Sequence, residues 1–349
     1  MKLLVSALEP SANLHLEPIL EGLEKYEIFG IFDERLGKPL MSSKQFSIMG
    51  FLDAIPKIRK AKYAIKIMTR MSFFVDKVIL IDSPAFNLPL AKAIKTLNPN
   101  IEIIYYILPQ VWAWKPHRVA KIEKYCTVLA SILPFEQYFY TKSQYVGHPL
   151  LDEIPLFKLQ ATQEGAISFL PGSRKSEIKK LMPIFNALAA KIEGKEKLLV
   201  IPPHLDEDDI AKMYGNVGAF TLCRNTYDAF AKSEFAFICS GTATLEAALV
   251  GVPFVLAYKA KAFDYWLAKK FVRLKHVGLA NILCDFAKME ALHVELLQED
   301  VSVENLFEAY QTCEKSSFFK NAIKLRNILG HGSQEAMIEI VKGINRETV

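Results

Sequence analysis

The sequence predicts an α/β protein with two doubly wound parallel sheets. Short apolar runs of strand length alternate with longer amphipathic segments in both halves of the chain, the pattern of parallel strands covered by helices. The segment from Gly147-His148-Pro149 to about residue 165 interrupts this alternation. The 349 residues also exceed the usual size of one domain. We therefore expect two Rossmann-like domains, 1–155 and 160–320, that face an interdomain cleft.

Each predicted element follows from a local run of residues. In the first half, strands are expected at 3–8, 28–32, 78–82, 101–107, 128–133 and 145–147, and helices at 11–25, 55–71 and 86–97. In the second half, strands are expected at 167–170, 198–201, 219–223, 235–239 and 254–257, with helices between them. A last helix, 321–341, is expected to pack on the first domain or on a neighbouring subunit.

Composition places the chain among globular proteins. Hydrophobic residues make up 51% and charged residues 23%, which excludes an intrinsically disordered chain. The net charge of +5 is concentrated in the first half, which favours an anionic partner for the first domain. The five cysteines are widely spaced and include no C-x-x-C pair, so neither a disulfide framework nor a zinc site is expected.

Two apolar segments bear on membrane topology. The first residues lead quickly to polar Glu9 without the long apolar core of a signal peptide, so we expect a cytoplasmic protein. Residues 234–258 are almost wholly apolar and long enough to span a bilayer. Two glycines, a glutamate and a proline interrupt this run, and a buried strand, helix and strand are predicted there instead.

Asp82 is the first candidate for catalysis. It follows the apolar run Ile79–Ile81 directly and precedes a predicted helix. Open parallel sheets bind ligands at the carboxyl ends of their strands, so a carboxylate at this position is exposed to substrate. The competing interpretation is that Asp82 only caps the helix, and the residues around it leave both interpretations open.

A phosphate-binding turn is predicted in the second domain. The first strand-to-helix turn of the chain, residues 8–13, contains no glycine, so neither the dinucleotide fingerprint nor the P-loop is present. Ser240-Gly241-Thr242 instead joins a strand to a helix, where free N–H groups and the helix dipole favour a phosphate. Glu246, one turn later, is suited to accept hydrogen bonds from ribose hydroxyls. A well-capped helix without a ligand is the alternative.

A second turn of this kind is Pro171-Gly172-Ser173-Arg174, where a guanidinium at a strand end is suited to bind a diphosphate. A surface arginine without a ligand is the alternative. No metal site is expected beside it, although magnesium would suit a sugar nucleotide. The acids of 206–209 are better explained as the first turn of a helix, where carboxylates are favourable.

These residues together resemble the lipid A disaccharide synthase family over most of the chain. The ordered motifs are Ile81-Asp82-Ser83-Pro84-x-Phe86-Asn87, Pro109-x-Val111-Trp112-Ala113-Trp114, Leu133-Pro134-Phe135-Glu136, Val146-Gly147-His148-Pro149-Leu150, Leu170-Pro171-Gly172-Ser173-Arg174 and Ser240-Gly241-Thr242-Ala243-Thr244-Leu245-Glu246. The resemblance implies a GT-B glycosyltransferase that inverts the anomeric carbon without a metal. It would join UDP-2,3-diacylglucosamine to 2,3-diacylglucosamine 1-phosphate and release UDP.

The resemblance also implies residue roles. Asp82 would be the general base and Glu9 a second catalytic or acceptor-binding acid. Tyr258 and Asn281 would join Arg174, Ser240, Gly241, Thr242 and Glu246 on the donor side. Ser11, Asn13, Trp112 and Trp114 would lie on the acceptor side. This chain departs from the family pattern at Asn13, Ala85 and Gln110, where the family usually has aspartate, aspartate and serine.

The segment 57–74 is the candidate membrane contact. Six basic residues and no acid lie in it, with Arg59, Lys62, Lys66 and Arg70 at helical spacing on one side. We expect Ile65, Met68, Met71, Phe73 and Phe74 to contact the membrane, at the cytoplasmic face of the inner membrane where both lipid substrates lie. The alternative is a crossover helix whose apolar face packs on the sheet.

Other functions share this predicted scaffold, among them a transferase of another acceptor. A UDP-N-acetylglucosamine 2-epimerase would need no lipid acceptor, and a non-catalytic nucleotide-sugar sensor would bind UDP without releasing it from a donor. No cofactor and no nucleic-acid partner is expected, and a homodimer is left open.

Overall fold

The computed structural model describes residues 1–43, 54–160, 162, 165–203, 205–239, 241–259 and 274–344, apart from the side chains of 54–57. The chain divides into two compact units, Met1–Asp152 with His331–Val349, and Glu153–Gly330. The division after Asp152 lies at the start of the segment that interrupts the strand–helix alternation. Within the described residues, no helix combines the length and apolar character needed to cross a membrane.

The first unit is a seven-stranded parallel sheet in the order β3-β2-β1-β4-β5-β6-β7. Its strands are β1 (Lys2–Ser6), β2 (Glu27–Phe32), β3 (Met41–Ser42), β4 (Lys77–Ile81), β5 (Glu102–Tyr106), β6 (Val128–Ser131) and β7 (Ser143–Tyr145). Its helices are α1 (Pro10–Glu21), α2 (Ala54–Met71), α3 (Pro84–Leu97) and α4 (Val119–Tyr125), and α5 (Leu150–Glu153) spans the division.

The second unit repeats this plan with six parallel strands in the order β10-β9-β8-β11-β12-β13. Its strands are β8 (Ala166–Leu170), β9 (Lys197–Val200), β10 (Thr221–Cys223), β11 (Ser233–Ile238), β12 (Phe254–Tyr258) and β13 (Val294–Leu297). Its helices are α6 (Lys175–Lys191), α7 (Glu207–Tyr214), α8 (Thr226–Lys232), α9 (Ala243–Val250), α10 (Leu279–Phe286), α11 (Val303–Gln311) and α12 (Lys315–Leu329).

The predicted single helix 321–341 is wrong. Two helices occupy this region, α12 in the second unit and α13 (Gln334–Lys342) in the first. Gly330 ends α12 with a left-handed φ of 73°, a conformation that glycine adopts without steric cost. Met337 and Val341 of α13 are fully buried in the core on one face of the first sheet.

The strand order fixes where ligands bind. In each unit the order reverses once, between β1 and β4 in the first and between β8 and β11 in the second. Where the connections that follow two neighbouring parallel strands run to opposite faces of the sheet, a crevice opens at the carboxyl ends of those strands. The predicted catalytic and phosphate-binding turns follow these four strands.

Candidate active site

Glu9 and Asp82 lie at the strand-order reversal of the first unit. β1 pairs with β4 in parallel register, Glu9 lies three residues beyond the end of β1, and Asp82 follows β4 directly. Asn87 of α3 joins the two strands, because its Oδ1 accepts a hydrogen bond from Ser6 Oγ at 2.6 Å and its Nδ2 donates to the Ile81 carbonyl at 3.1 Å. Strand order therefore places two carboxylic acids in one crevice.

The turn that carries Asp82 has an uncommon backbone. Asp82 and Ser83 have φ angles of 49° and 42°, in the left-handed region where residues other than glycine are sparse. The Asp82 N–H donates to the Tyr106 carbonyl at 3.1 Å, and its carbonyl accepts from Tyr105 Oη at 2.8 Å and Asn87 Nδ2 at 2.7 Å. Ser83 is the N-cap residue of α3, which excludes the interpretation of Asp82 as the cap.

The carboxyl groups of this crevice are better bases than free ones. Burial raises the pKa of Asp82, while the Ser83 N–H and the nearby His15 lower it by less. Partial burial also raises the pKa of Glu9, and the charge of Asp82 raises it further. No sequence motif singles out His15. Its position beside Asp82 depends on the pairing of β1 with β4, which the doubly wound order predicts.

Asn13 and Ser11, predicted to contact the acceptor, lie in the first turns of α1. Asn13 is buried, donates to the Ala7 and Glu9 carbonyls at 3.0 and 2.9 Å and accepts from the Asp33 N–H at 2.7 Å. Its amide therefore holds the backbone that presents Glu9, which is a positioning role. Ser11 is exposed beside Glu9 and stays a prediction as an acceptor contact.

Trp112 and Trp114 occupy different environments. Trp112 is half-buried, donates from Nε1 to Glu136 Oε1 at 3.2 Å and packs edge-on against Phe135 with ring centroids 5.2 Å apart. Glu136 also accepts from Ser131 Oγ at 2.7 Å, and its burial raises its pKa to about 7. Trp114 is exposed. Trp112 is therefore fixed by the protein, whereas Trp114 presents part of its ring to solvent.

The predicted membrane contact of Met68 is wrong, and Ile65 and Met71 are partly buried. Met68 is 0% exposed and lies in the first unit's core, against which Ile65 and Met71 pack, because α2 covers the sheet as a crossover helix. Phe73 and Phe74 follow the end of α2 and are 57% and 76% exposed. The basic side of α2 is exposed as predicted.

The two phosphate-suited turns of the second unit lie side by side. They follow β8 and β11, which pair in parallel, and the Cys239 N–H donates to the Leu170 carbonyl at 2.7 Å. Gly172 has φ 99°, and a Cβ there would lie 2.6 Å from Glu177 Oε2 and 3.1 Å from Cys239 Sγ. Glycine is therefore required at this contact between the turns.

Glu177, in the first turn of α6, orients the side chain of Arg174 by hydrogen bonds. Arg174 Nη1 donates to Glu177 Oε1 at 2.8 Å and its backbone N–H to Glu177 Oε2 at 3.3 Å, yet the Arg174 side chain is 76% exposed. Glu177 raises the pKa of Arg174, and Tyr258 at the end of β12 contributes in the same direction. The remaining guanidinium N–H groups of Arg174 face solvent, where an anion can accept from them.

The turn after β11 is open. Gly241 has φ 133°, and, its two chain neighbours aside, no atom of the described residues lies within 4 Å of the position that a Cβ would take there. Thr242 is exposed as the N-cap of α9 without a side-chain capping bond. Ser240 lies outside the described residues. Glu246 is half-buried one turn along α9, and burial together with the charge of Glu153 raises its pKa to about 7.

Asn281 does not face a ligand. It is 0% exposed, and all four hydrogen-bonding positions of its amide are used. Its Nδ2 donates to the His293 carbonyl and to Glu295 Oε1, each at 3.0 Å, and its Oδ1 accepts from Leu292 N at 2.7 Å and His293 N at 3.3 Å. The predicted direct contact with the donor is replaced by a structural role.

The described residues contain no group of three His, Cys, Asp or Glu side chains arranged to hold a metal ion. Asp206 is the N-cap of α7 and accepts from the Asp209 N–H at 2.7 Å. The prediction that the acids at 206–209 form the first turn of a helix is therefore confirmed.

Glycosyltransferases and epimerases share this arrangement of strands and turns, and comparison with known proteins shows which family the chain belongs to. The model of the lipid-A-disaccharide synthetase family matches residues 3–337. The chain belongs to the lipid-A-disaccharide synthetase family. A lipid-A-disaccharide synthase of Campylobacter jejuni is 51% identical and covers 98% of this chain and 99% of its own, and one of Helicobacter pylori strain J99 is 45% identical over 97% of each.

Solved structures with the same architecture confirm the predicted GT-B fold. The calicheamicin glycosyltransferase CalG4 aligns with a TM-score of 0.60 at 12% identity, covering 100% of this chain and 99% of its own. The UDP-GlcNAc 2-epimerase of Neisseria meningitidis, bound to UDP-GlcNAc, aligns with a TM-score of 0.56 at 15% identity over 99% of each chain. These structures share the fold of this chain at low sequence identity, whereas the family is shown by the match over residues 3–337.

Proposed function

We propose that this protein transfers a diacylglucosaminyl group from UDP-2,3-diacylglucosamine to the 6-hydroxyl of 2,3-diacylglucosamine 1-phosphate. The products are a β-1,6-linked disaccharide 1-phosphate and UDP. The observation that carries the proposal is the family match over residues 3–337. It is supported by the acids at the strand reversal of one unit and the phosphate-suited turns at the reversal of the other.

The transfer is a single displacement that inverts the anomeric carbon. The acceptor oxygen forms a bond to this carbon while the bond to the UDP oxygen breaks and its electron pair leaves with UDP. Asp82 takes the hydroxyl proton, and the raised pKa of its carboxyl group increases its basicity. A positioned general base of this kind contributes about 10²- to 10⁴-fold in rate. Glu9 supports Asp82 or binds the acceptor from the neighbouring strand end.

The second unit stabilises the leaving group. Arg174 and the N–H groups at the start of α9 bind the diphosphate, whose negative charge grows as the glycosidic bond breaks. Gly241 permits close approach of the phosphate, and Thr242 offers a hydroxyl that no capping bond uses. Glu246 accepts hydrogen bonds from the ribose. These groups supply the charge stabilisation for which other enzymes use magnesium, so we propose catalysis without a metal.

Membrane contact is proposed at the end of α2. Phe73 and Phe74 form an exposed apolar pair next to the basic side of that helix, where Arg59, Lys62, Lys66 and Arg70 are exposed. Aromatic groups insert at the membrane interface, and basic groups nearby are attracted to anionic head groups by about 1 kcal/mol each. This pairing supports a peripheral protein on the cytoplasmic face of the inner membrane, where both lipid substrates would be reached.

Product analysis tests the proposal. Purified protein is incubated in detergent with both lipid substrates, with and without a chelator, and the products are separated by mass. We expect equal formation of UDP and disaccharide phosphate in both samples. Conversion of UDP-N-acetylglucosamine without a lipid acceptor would identify an epimerase, whose fold this chain shares. UDP binding without turnover would identify a sensor, and activity that requires added magnesium would contradict metal independence.

A further inference from the structure

A basic cavity of about 400 Å³ lies in the first unit beside the turn that carries Asp82. Its walls are the first turns of α3 and the segment from Lys115 through α4. This volume falls within the range of small-molecule sites. The cationic lining residues are Lys92, Lys115, Arg118 and Lys121, with His117 beside them. No described residue that lines this cavity is acidic.

The described residues supply no ion-pair partner for three of these cations. Among the described residues, Lys92, Arg118 and Lys121 form no ion pair. Glu123, the acid nearest in sequence, is turned away, because its Oε1 accepts from the Thr141 N–H at 2.6 Å and from Thr141 Oγ1 at 2.9 Å. A concave surface with several unpaired cations concentrates anions from solution.

The rest of the lining suits a molecule with both charge and apolar surface. Leu88, Pro89 and Tyr125 supply apolar atoms between the cations. Pro84 and Ala85, also in the lining, are the first residues of α3, whose dipole places partial positive charge at this end. A phosphate joined to an acylated group satisfies both parts of this surface.

The cavity is close to the proposed base. Pro84 is two residues from Asp82, which places their Cα atoms within about 8 Å of each other. Tyr105 donates to the Asp82 carbonyl at 2.8 Å, and Arg118 lies near enough to act on the Tyr105 hydroxyl. In a sugar 1-phosphate, one pyranose ring separates the phosphate from the 6-hydroxyl. A phosphate held in this cavity therefore leaves the hydroxyl on the side of Asp82.

We propose that this cavity binds the phosphate monoester of an acylated sugar 1-phosphate and so orients the 6-hydroxyl toward Asp82. The inference rests on the proposed function, because it assigns the phosphate to the acceptor of that reaction. Lys92, Arg118 and Lys121 supply the charge, and Lys115 lies over the Trp114 ring, with 5.4 Å between Nζ and the ring centroid. Trp114 is thereby in contact with a lining residue of the cavity.

The experiment compares the double variant Arg118→Gln/Lys121→Gln with wild type on two acceptors, 2,3-diacylglucosamine 1-phosphate and the same lipid without its phosphate. We expect the KM for the phosphorylated acceptor to rise at least tenfold, since hydrogen bonds between charged groups are lost. The KM for the UDP donor and the rate with the dephosphorylated acceptor should stay within about twofold of wild type. Lys142→Gln, which removes one positive charge outside this cavity, is the control for loss of charge and should leave every constant unchanged.

Three results overturn the inference. The first is an unchanged KM for the phosphorylated acceptor, and the second is an equal loss with both acceptors. The third is weaker binding to vesicles that contain phosphatidic acid while the acceptor KM stays constant, which would assign the cavity to a membrane phospholipid. If wild type forms no disaccharide, the proposed function fails separately. Calorimetry with glucosamine 1-phosphate against glucosamine then tests the cavity directly, and equal binding of the two would overturn it.

Discussion

The charge of Asp82 raises the pKa of Glu9, although the two residues are 73 positions apart in the sequence. They meet because β1 and β4 are neighbours at the reversal of strand order. A negative charge beside a carboxyl group disfavours its ionised form, so Asp82 adds to the larger effect of burial on the pKa of Glu9. The raised pKa of both carboxyl groups suits the proposed role of Asp82 as a base with Glu9 beside it.

Replacement of Asp82 tests its role as the base. We expect Asp82→Asn to lower kcat by about 10²- to 10⁴-fold with little change in the KM for the donor, because the amide cannot accept the proton. Asp76→Asn is the matched control. Asp76 lies at the amino end of β4, whereas Asp82 lies at the carboxyl end. Asp76 Oδ2 accepts a hydrogen bond from the Lys2 N–H at 2.7 Å. Near-normal turnover of a folded Asp82→Asn protein would remove Asp82 from the mechanism.

The coupling of the two acids gives a spectroscopic prediction. In Asp82→Asn the pKa of Glu9 should fall toward its ordinary value, because one of the two causes of its rise is removed. Burial, the larger cause, remains, so the return should be partial. The measurement is a carbon-13 NMR titration of the Glu9 carboxyl group in both proteins. An unchanged Glu9 titration would show that the carboxylates do not interact.

Glu136 should make stability depend on pH. Burial raises its pKa to about 7 in the folded protein, while the unfolded chain titrates near 4.5. The folded state therefore binds the proton more tightly, and the stability from this group is complete below about pH 4.5 and lost as pH rises through 7. The loss is on the order of 3 kcal/mol.

Urea unfolding at pH 5 and pH 8, monitored by tryptophan fluorescence, measures this loss of stability. Glu136→Gln should reduce the difference between the two pH values, because glutamine does not titrate. A difference as large as that of wild type would assign the pH dependence to other groups.

Gly172 should be intolerant of any side chain. In Gly172→Ala the new Cβ would meet Glu177 Oε2 at 2.6 Å in addition to the strain of a left-handed φ. We expect a loss of stability above the roughly 1–2 kcal/mol of backbone strain and weaker UDP binding, because Glu177 orients Arg174. Gly194→Ala is the control, since Gly194 has φ 67° but no described residue beyond its chain neighbours within 4 Å of its Cβ position. Calorimetric binding of UDP should distinguish the two variants, and equal affinities would contradict the proposed role of this turn.

Because Phe73 and Phe74 are exposed, we expect their replacement to change membrane binding without changing the stability of the fold. Phe73→Ser with Phe74→Ser should reduce sedimentation with anionic vesicles and leave the unfolding transition unchanged, because both rings are exposed. Met68→Ala should do the reverse. It empties a core position and costs about 2–5 kcal/mol, without an effect on vesicle binding by the folded protein. Vesicle binding that survives loss of both rings would place the membrane contact elsewhere.

The sequence predicted the architecture and the position of its main turns. The alternation of strands and helices has a strong local pattern in the sequence. The doubly wound strand order then brings Asp82 beside the turn after β1 and Gly172 beside Cys239. Strands β3 and β13 were not predicted. β3 has only two residues, and the side chains of β13 are at most half-buried, so neither has the apolar run of a central strand.

Side-chain roles were harder to predict than elements. A period of 3.6 residues separates the two faces of α2 but does not say whether Met68 meets the sheet or a lipid. Asn281 has the residue type of a ligand contact, yet its partners lie 11 to 14 residues away across a loop. The bond between Trp112 and Glu136 joins two motifs 24 positions apart, which no local pattern reports.

The return of α13 to the first unit constrains how the protein is made. Ala336, Met337 and Val341 complete a core whose other members come from the first 146 residues. On the ribosome, the first unit must wait with this apolar surface uncovered until the whole segment 153–330 has been synthesised. The core of the first unit is therefore completed by residues that are synthesised after the whole of the second unit.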